Sequence, residues 1–126
     1  MRHKLIGLFL LIAAQAGAGS AAVASDPAAE AQFKKSCGVC HSVDPAAPPR
    51  QGPNLSGVIG RPAGTMEGFK YSPAFQAASG GVVWDEATLD RWITDPQVMI
   101  PGTVMLYKQA DPDKRRLVIE YLKTAQ

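Results

Sequence analysis

The residues Cys37-Gly38-Val39-Cys40-His41 constrain the fold more than any other feature of this 126-residue chain. Two thiols three positions apart can each add across one haem vinyl group, and the imidazole that follows can then reach the iron. This spacing is the attachment signature of c-type haem. The motif therefore predicts a chain that folds around a covalently bound cofactor.

Three other uses of the cysteines compete with haem attachment. In an exported protein the thiols could form a disulfide, and the Cys37 to Cys40 spacing also resembles the redox pair of thioredoxin-like proteins. A thioredoxin site would follow a buried strand, yet the residues before Cys37 are rich in Ala, Lys and Glu and favour a helix. A structural zinc site lacks ligands, because the only Cys or His outside the motif is His3, which lies in the leader described next. Haem attachment is therefore favoured.

The first 24 residues have the organisation of a secretory signal peptide. They begin with the basic residues Arg2 and Lys4, continue with an apolar run over residues 5–14, and end in a small-x-small cleavage site at residues 22–24. The apolar run is shorter than the ~20 residues needed to span a bilayer, so cleavage is favoured over a retained anchor. We therefore expect export to the periplasm, with residues 25–126 as a single domain that is not inserted in the membrane.

The mature chain is expected to be neutral. The full sequence has 13 basic and 11 acidic residues, and loss of Arg2 and Lys4 with the signal peptide leaves 11 of each. A neutral domain argues against nucleic acid as a partner. The cluster Lys114-Arg115-Arg116 is expected to be the solvated face of a C-terminal helix.

Ten prolines and twelve glycines predict short helices and long loops. The spacing of apolar residues, with proline and capping residues at the boundaries, predicts helices over residues 28–36, 71–79 and 85–94, and a last helix that starts at Asp111-Pro112. Pro96 is expected to end the third helix. Because nothing alternates with period two, the sequence predicts an all-α domain.

Three methionines beyond Met1 are candidates for the iron position opposite His41. Met66, Met99 and Met105 could each be core filler, which is the usual role of Met. Met105 differs because it ends the tight, non-helical run Ile-Pro-Gly-Thr-Val-Met over residues 100–105. A thioether in such a loop can be aimed at a fixed point, so Met105 is the preferred candidate.

The chain resembles the class I c-type cytochromes, the family that includes mitochondrial cytochrome c and its bacterial relatives. The resemblance extends from Phe33 to the C-terminus. Its motifs occur in family order: Cys37-Gly38-Val39-Cys40-His41, Gly52-Pro53-Asn54-Leu55, Gly60-Arg61, Tyr71, Trp84, Pro101-Gly102-Thr103-Val104-Met105 and Tyr121-Leu122-Lys123. It implies the cytochrome c fold, in which short helices and long loops wrap around one haem.

The resemblance also implies a role for each matched residue. Cys37 and Cys40 would carry the thioether bonds, and His41 and Met105 would be the proximal and distal iron ligands. The Pro53 carbonyl would accept a hydrogen bond from His41 Nδ1 and so orient the ring. The residues expected near the buried haem propionates are Arg61, Tyr71, Trp84 and Thr103. Phe33 and Tyr121 match the contact between the first and last helices, and Trp92 matches an aromatic position near the Met ligand.

The implied function is electron transfer and not enzymatic catalysis, because an iron with two protein ligands has no open site for a substrate. Donor and acceptor redox proteins would meet this monomeric carrier in brief encounters. Val104 stands where mitochondrial members have Lys, so the contact is expected to be apolar and weakly salt-dependent. Two alternatives are a fixed electron-transfer subunit of a periplasmic dehydrogenase complex, and a haem-based sensor or enzyme for gases or peroxide.

Overall fold

The computed structural model describes Gly19 and residues 24–126, so nearly all of the predicted signal peptide lies outside the described residues. The described part contains five helices: α1 (Pro27–Ser36), α2 (Pro73–Ala78), α3 (Glu86–Thr94), α4 (Pro96–Met99) and α5 (Pro112–Thr124). It contains no strand, and its one strand-like pairing is an isolated bridge between Pro62 and Val83. The predicted all-α fold is confirmed.

Four of the helices begin where a capping side chain is followed by proline. Asp26, Ser72, Asp95 and Asp111 each accept a hydrogen bond from a backbone N–H of the first turn. The N–H groups of a helix's first turn have no partner within the helix, so a proline there, which has no N–H, loses no hydrogen bond. The fixed φ of proline also suits a helix. The remaining helix, α3, is capped by Asp85 and begins with a glutamate. Local sequence therefore determines where the helices start.

Two helices differ from the sequence prediction by more than one residue at a boundary. The helix predicted over residues 71–79 begins only at Pro73, because Ser72 precedes a proline and is extended. Pro96 does follow the end of α3, where Asp95 is extended, but it also opens the single turn α4, which the sequence did not predict.

The first and last helices pack against each other and form the most extensive helix contact among the described residues. The rings of Phe33 on α1 and Tyr121 on α5 have their centroids 4.8 Å apart. Val118 and Leu122 of α5 are buried in the same core. Because α5 also packs on α3, these helices form a frame from which the long loops extend to the functional site.

The basic cluster of α5 differs in part from the prediction of a solvated face. Lys114 and Arg116 are exposed and lie in ion pairs with acidic residues of the same helix region. Arg115 is mostly buried, and its Nε lies 2.7 Å from Asp90 Oδ1 on α3. The guanidinium of Arg115 also donates to the carbonyls of Gln109 and Ala110. This residue therefore joins α5 to α3.

Among the helices of the described residues, none is long and apolar enough to cross a membrane.

Candidate haem site

A cavity of about 400 Å³ with a mostly apolar wall lies between the helices and the long loops. The segments that line it lie between Ser36 and Leu122. All nine residues that the sequence singled out lie in its wall: Cys37, Cys40, His41, Pro53, Arg61, Tyr71, Trp84, Thr103 and Met105. The fold therefore brings together residues that are as many as 68 positions apart in the sequence.

The two cysteines and His41 lie in a turn that begins where α1 ends. The N–H of Cys37 donates to the Phe33 carbonyl at 2.8 Å, and the Cys37 carbonyl accepts from the N–H groups of Cys40 and His41 at 3.1 and 2.9 Å. Gly38 fits this turn because a Cβ there would lie only 2.8 Å from the Lys34 carbonyl oxygen. The turn places both thiols and the imidazole at one cavity.

Both thiols are free, and their surroundings do not suit a dithiol redox pair. Burial, with a smaller contribution from Cys40, raises the pKa of the Cys37 thiol to about 12. A redox cysteine needs the opposite shift, because the thiolate is the reactive form. Cys40 Sγ donates a hydrogen bond to Gln51 Oε1 at 3.0 Å. The thioredoxin alternative therefore has no support at this site.

The His41 ring is oriented by a backbone carbonyl. Its Nδ1 lies 2.8 Å from the Pro53 oxygen, and because that oxygen can only accept, Nδ1 carries the proton. The lone pair is then on Nε2. Burial lowers the pKa of His41, an effect that the Pro53 hydrogen bond opposes only in part, so the ring is neutral at pH 7. A neutral imidazole with a free Nε2 is the form that binds a metal.

Gly52 completes the support of the His41 ring. A Cβ on Gly52 would lie 2.2 Å from His41 Cε1, which no side chain could tolerate without movement. The Gly52 N–H donates to the Cys40 carbonyl at 2.9 Å and so fixes the loop against the attachment turn. The absence of a side chain at residue 52 is what lets the ring occupy its place.

Arg61 places a positive charge in the cavity wall. Its guanidinium donates to the carbonyls of Asn54 and Ser56, both at 3.0 Å, and contacts the Met66 sulfur at 3.2 Å. Partial burial lowers the pKa of Arg61, but a guanidinium stays protonated in proteins. Within the described residues, none of the ion pairs involves Arg61. A cation of this kind suits an anionic group inside the cavity, such as a haem propionate.

Four aromatic rings form a cluster beside Arg61. Phe75 lies at its centre, with ring centroids 5.0 Å from Tyr71, 5.7 Å from Trp92 and 6.4 Å from Trp84. The Tyr71 hydroxyl accepts from the Met66 N–H at 3.1 Å. All four rings line the cavity, so their faces and edges provide an apolar wall.

Only one of the three candidate methionines, Met105, lies in the cavity wall. Met66 contacts Arg61, and Met99 packs against the core on α4. The loop that carries Met105 turns at Gly102, which has a φ of 83°, and Thr103 donates its N–H to the Ile100 carbonyl at 3.1 Å. The loop thus directs a thioether to the cavity that also contains His41.

Comparison with known proteins agrees with this geometry. The family model for cytochrome c matches residues 28–126. The chain belongs to the cytochrome c family. Cytochrome c2 of Rhodomicrobium vannielii is 39% identical over 122 residues, which cover 96% of each chain. Cytochrome c2 of Blastochloris viridis is 41% identical over 98% of this chain and 93% of its own. Cytochrome c-550 of Novispirillum itersonii is 44% identical over 108 residues, which cover 79% of this chain and 97% of that protein.

Membership of this family confirms the predicted function and cofactor. The cytochrome is an electron-transfer protein that binds one haem covalently through Cys37 and Cys40, and its partners are redox proteins. Bound haem supplies the one-electron Fe(II)/Fe(III) couple, and the protein supplies binding, orientation and electrostatics. The relatives do not favour the alternatives of a sensor, an enzyme or a dehydrogenase subunit.

Sequence reasoning missed several residues that shape the site. Gly52 was noted only as part of a motif, and its contact with the His41 ring depends on the conformation of the loop. Phe75 lies at the centre of the aromatic cluster, a position that depends on how three other segments pack around it. Gln51, the hydrogen-bond partner of Cys40, gave no signal, because a single glutamine in a loop has no pattern.

Proposed function

We propose that this cytochrome carries single electrons with His41 and Met105 as the two axial ligands of its haem iron. The observation that supports this most is that His41, the one imidazole among the described residues, and Met105 line the same cavity as both cysteines. His41 is neutral, and its Nε2 is free for a metal. A Met/His ligand pair raises the reduction potential of a haem and leaves no open iron position.

The charged end of the haem is proposed to lie beside Arg61, Tyr71, Trp84 and Thr103. Arg61 is a partly buried cation, and the Trp84 and Tyr71 rings lie next to it in the cavity wall. Thr103 is buried, and its side chain is polar. A buried carboxylate is costly unless donors surround it, and this part of the wall is where the chain provides them.

Electrons are proposed to enter and leave past three exposed apolar side chains, Val39, Val104 and Leu106, which we propose form one patch. These side chains are 75%, 70% and 79% exposed. Val39 lies between the two cysteines, and Val104 and Leu106 flank Met105 in the cavity wall. A small apolar patch suits a brief contact between a monomeric carrier and a redox protein. Such a contact depends only weakly on salt.

We further propose that the chain is exported to the periplasm, that the signal peptide is removed after residue 24, and that residues 25–126 are one haem-binding domain. The basic start, the apolar run and the small-x-small site of the leader support this proposal. Mass spectrometry of the haem-containing protein from a periplasmic extract would test it. A mass that includes the leader, or recovery only from membranes, would contradict it.

A visible spectrum of the purified protein tests the ligand assignment. Sharp low-spin bands, a weak far-red iron–thioether band in the oxidised form, and no response of the reduced form to carbon monoxide are expected. Met105→Ala should abolish the far-red band and allow carbon monoxide to bind, whereas Met99→Ala, a matched change outside the cavity, should do neither. Binding of carbon monoxide to the unmodified protein would contradict the assignment and restore the sensor or enzyme alternative.

A further inference from the structure

The single turn α4 carries a glutamine whose side-chain amide contacts the loop that ends at Met105. Gln97 Oε1 accepts a hydrogen bond from the Gly102 N–H at 3.1 Å. Gln97 Nε2 donates to the Thr103 carbonyl at 2.7 Å and to the Met105 carbonyl at 3.3 Å. One side chain therefore joins three backbone groups of the loop.

The chemistry of these contacts requires a primary amide. The Gly102 N–H needs an acceptor, and the carbonyls of Thr103 and Met105 need donors. A carboxylate of the same shape offers acceptors only, and an ammonium offers donors only. Gln97 supplies one acceptor and two donor hydrogens, which matches the three groups.

The backbone that carries Gln97 is itself held firmly. Asp95 Oδ1 accepts from the Gln97 N–H at 3.0 Å, and Asp95 also pairs with Lys108 at 3.5 Å. Pro96 is almost completely buried, and its carbonyl accepts from the Ile100 N–H at 2.8 Å. The amide of Gln97 therefore projects from a fixed base onto the loop.

The loop has few other restraints near Met105. The hydrogen bond within the loop, from the Thr103 N–H to the Ile100 carbonyl, lies before Met105 in the sequence. After Met105, the next hydrogen bond between backbone groups is that from the Gln109 N–H to the Ile93 carbonyl. For residues 104–108, the bond from Gln97 is the only backbone hydrogen bond found among the described residues. The position of the Met105 backbone thus depends strongly on Gln97.

We infer that Gln97 is a positioning residue that holds the Met105 thioether against the haem iron and sets how readily another ligand displaces it. This inference rests on the proposed His41/Met105 ligation. Gln97 is not part of the cavity wall, so it acts through the loop and not on the cofactor. Without it, conformations in which Met105 has left the iron become more populated.

Titration of the oxidised, haem-containing protein with imidazole tests this inference. Imidazole binds only where Met105 has left, so its apparent affinity is proportional to the population of that open form. Gln97→Glu keeps the shape and the acceptor but loses both donors, and Gln97→Leu loses all three bonds. Loss of the far-red band should need about tenfold less imidazole in each variant, as expected from the loss of two or three hydrogen bonds.

Val98→Ala is the matched control, because Val98 is the next residue of α4 and is 81% exposed. It should leave the imidazole titration unchanged. Thermal unfolding of all variants separates loop opening from general instability, since a positioning role changes the imidazole midpoint more than the melting temperature.

The outcomes separate this inference from the proposed ligation. If the unmodified protein lacks the far-red band, the His41/Met105 assignment fails. If the band is present but both Gln97 variants bind imidazole as the unmodified protein does, the positioning role is wrong and the ligation stands. An equal shift in Val98→Ala would also overturn the positioning role.

Discussion

Replacement of Gly52 by alanine is expected to disturb the iron ligand His41 directly. The added Cβ would lie 2.2 Å from His41 Cε1, 2.6 Å from Nδ1 and 2.7 Å from Nε2. Ordinary contact begins at 3.4 Å, so the ring and residue 52 must separate by about 1.2 Å. The loop cannot easily supply this movement, because the Gly52 N–H is bonded to Cys40 and its carbonyl to Arg50.

A shift of this size has consequences for ligation and for stability. Metal–ligand distances vary by only about 0.2 Å, so a ring displaced by several times that amount binds iron poorly. The 2.8 Å hydrogen bond from His41 to Pro53 would also be strained. Overpacking of this kind costs about 1–3 kcal/mol of unfolding free energy. We expect a partly high-spin spectrum and a lower melting temperature in Gly52→Ala.

Gly80→Ala is the matched control, since a Cβ on Gly80 meets no atom within 4 Å. The assay is the visible spectrum of the oxidised and reduced haem-containing proteins, followed by thermal unfolding. Gly80→Ala should match the unmodified protein in both measurements. A low-spin spectrum and an unchanged melting temperature in Gly52→Ala would refute the argument that contact with Gly52 positions the ring.

Three further predictions concern the frame, a helix cap and the exposed patch. Phe33→Ala should lower the unfolding free energy by about 3–5 kcal/mol in denaturant titrations, because it removes the ring that α1 packs against Tyr121 of α5. A loss below about 1 kcal/mol would contradict this prediction. The hydrogen bond from a first-turn N–H lowers the pKa of the Asp85 carboxyl below its ordinary 3.8. The ionised Asp85 therefore stabilises the folded state above about pH 4, and this stabilisation is lost as the pH falls through the lower folded pKa. Asp85→Asn should therefore lose less stability than the unmodified protein between pH 5 and 3 in thermal unfolding, and parallel curves would disprove it. Val104→Lys should speed reduction of ferricyanide at low ionic strength by about tenfold, with the difference vanishing at high salt. Val98→Lys adds the same charge away from the cavity wall, and an equal acceleration there would argue against the patch.

Much of the fold could be predicted because its signals are local. A capping side chain followed by proline specifies a helix start through neighbouring residues alone, and the structure begins α1 and α5 at such pairs. The single turn α4 is different. It begins at the same kind of pair, Asp95-Pro96, but a helix of four residues leaves no apolar periodicity to detect. Its hydrogen bonds to the next loop depend on tertiary structure.

The part of the site that could be predicted consists of residues recognised by their type and spacing. Two thiols and an imidazole at this spacing favour haem attachment over the other uses of cysteine, and the structure brings Met105 to the same cavity. What the sequence could not predict are contacts between loops, such as that of Gly52 with the His41 ring and that of Gln97 with Met105. These depend on backbone conformations that no local pattern specifies.

The pairing of the first helix with the last determines when this chain can fold. During synthesis Phe33 is made long before Tyr121, so the partner of α1 is missing until α5 has been made. Contacts between distant segments form slowly because the intervening chain must first be ordered. The newly made polypeptide is therefore expected to stay open until α5 has been made, and an open polypeptide still leaves both cysteines accessible to the machinery that attaches a cofactor.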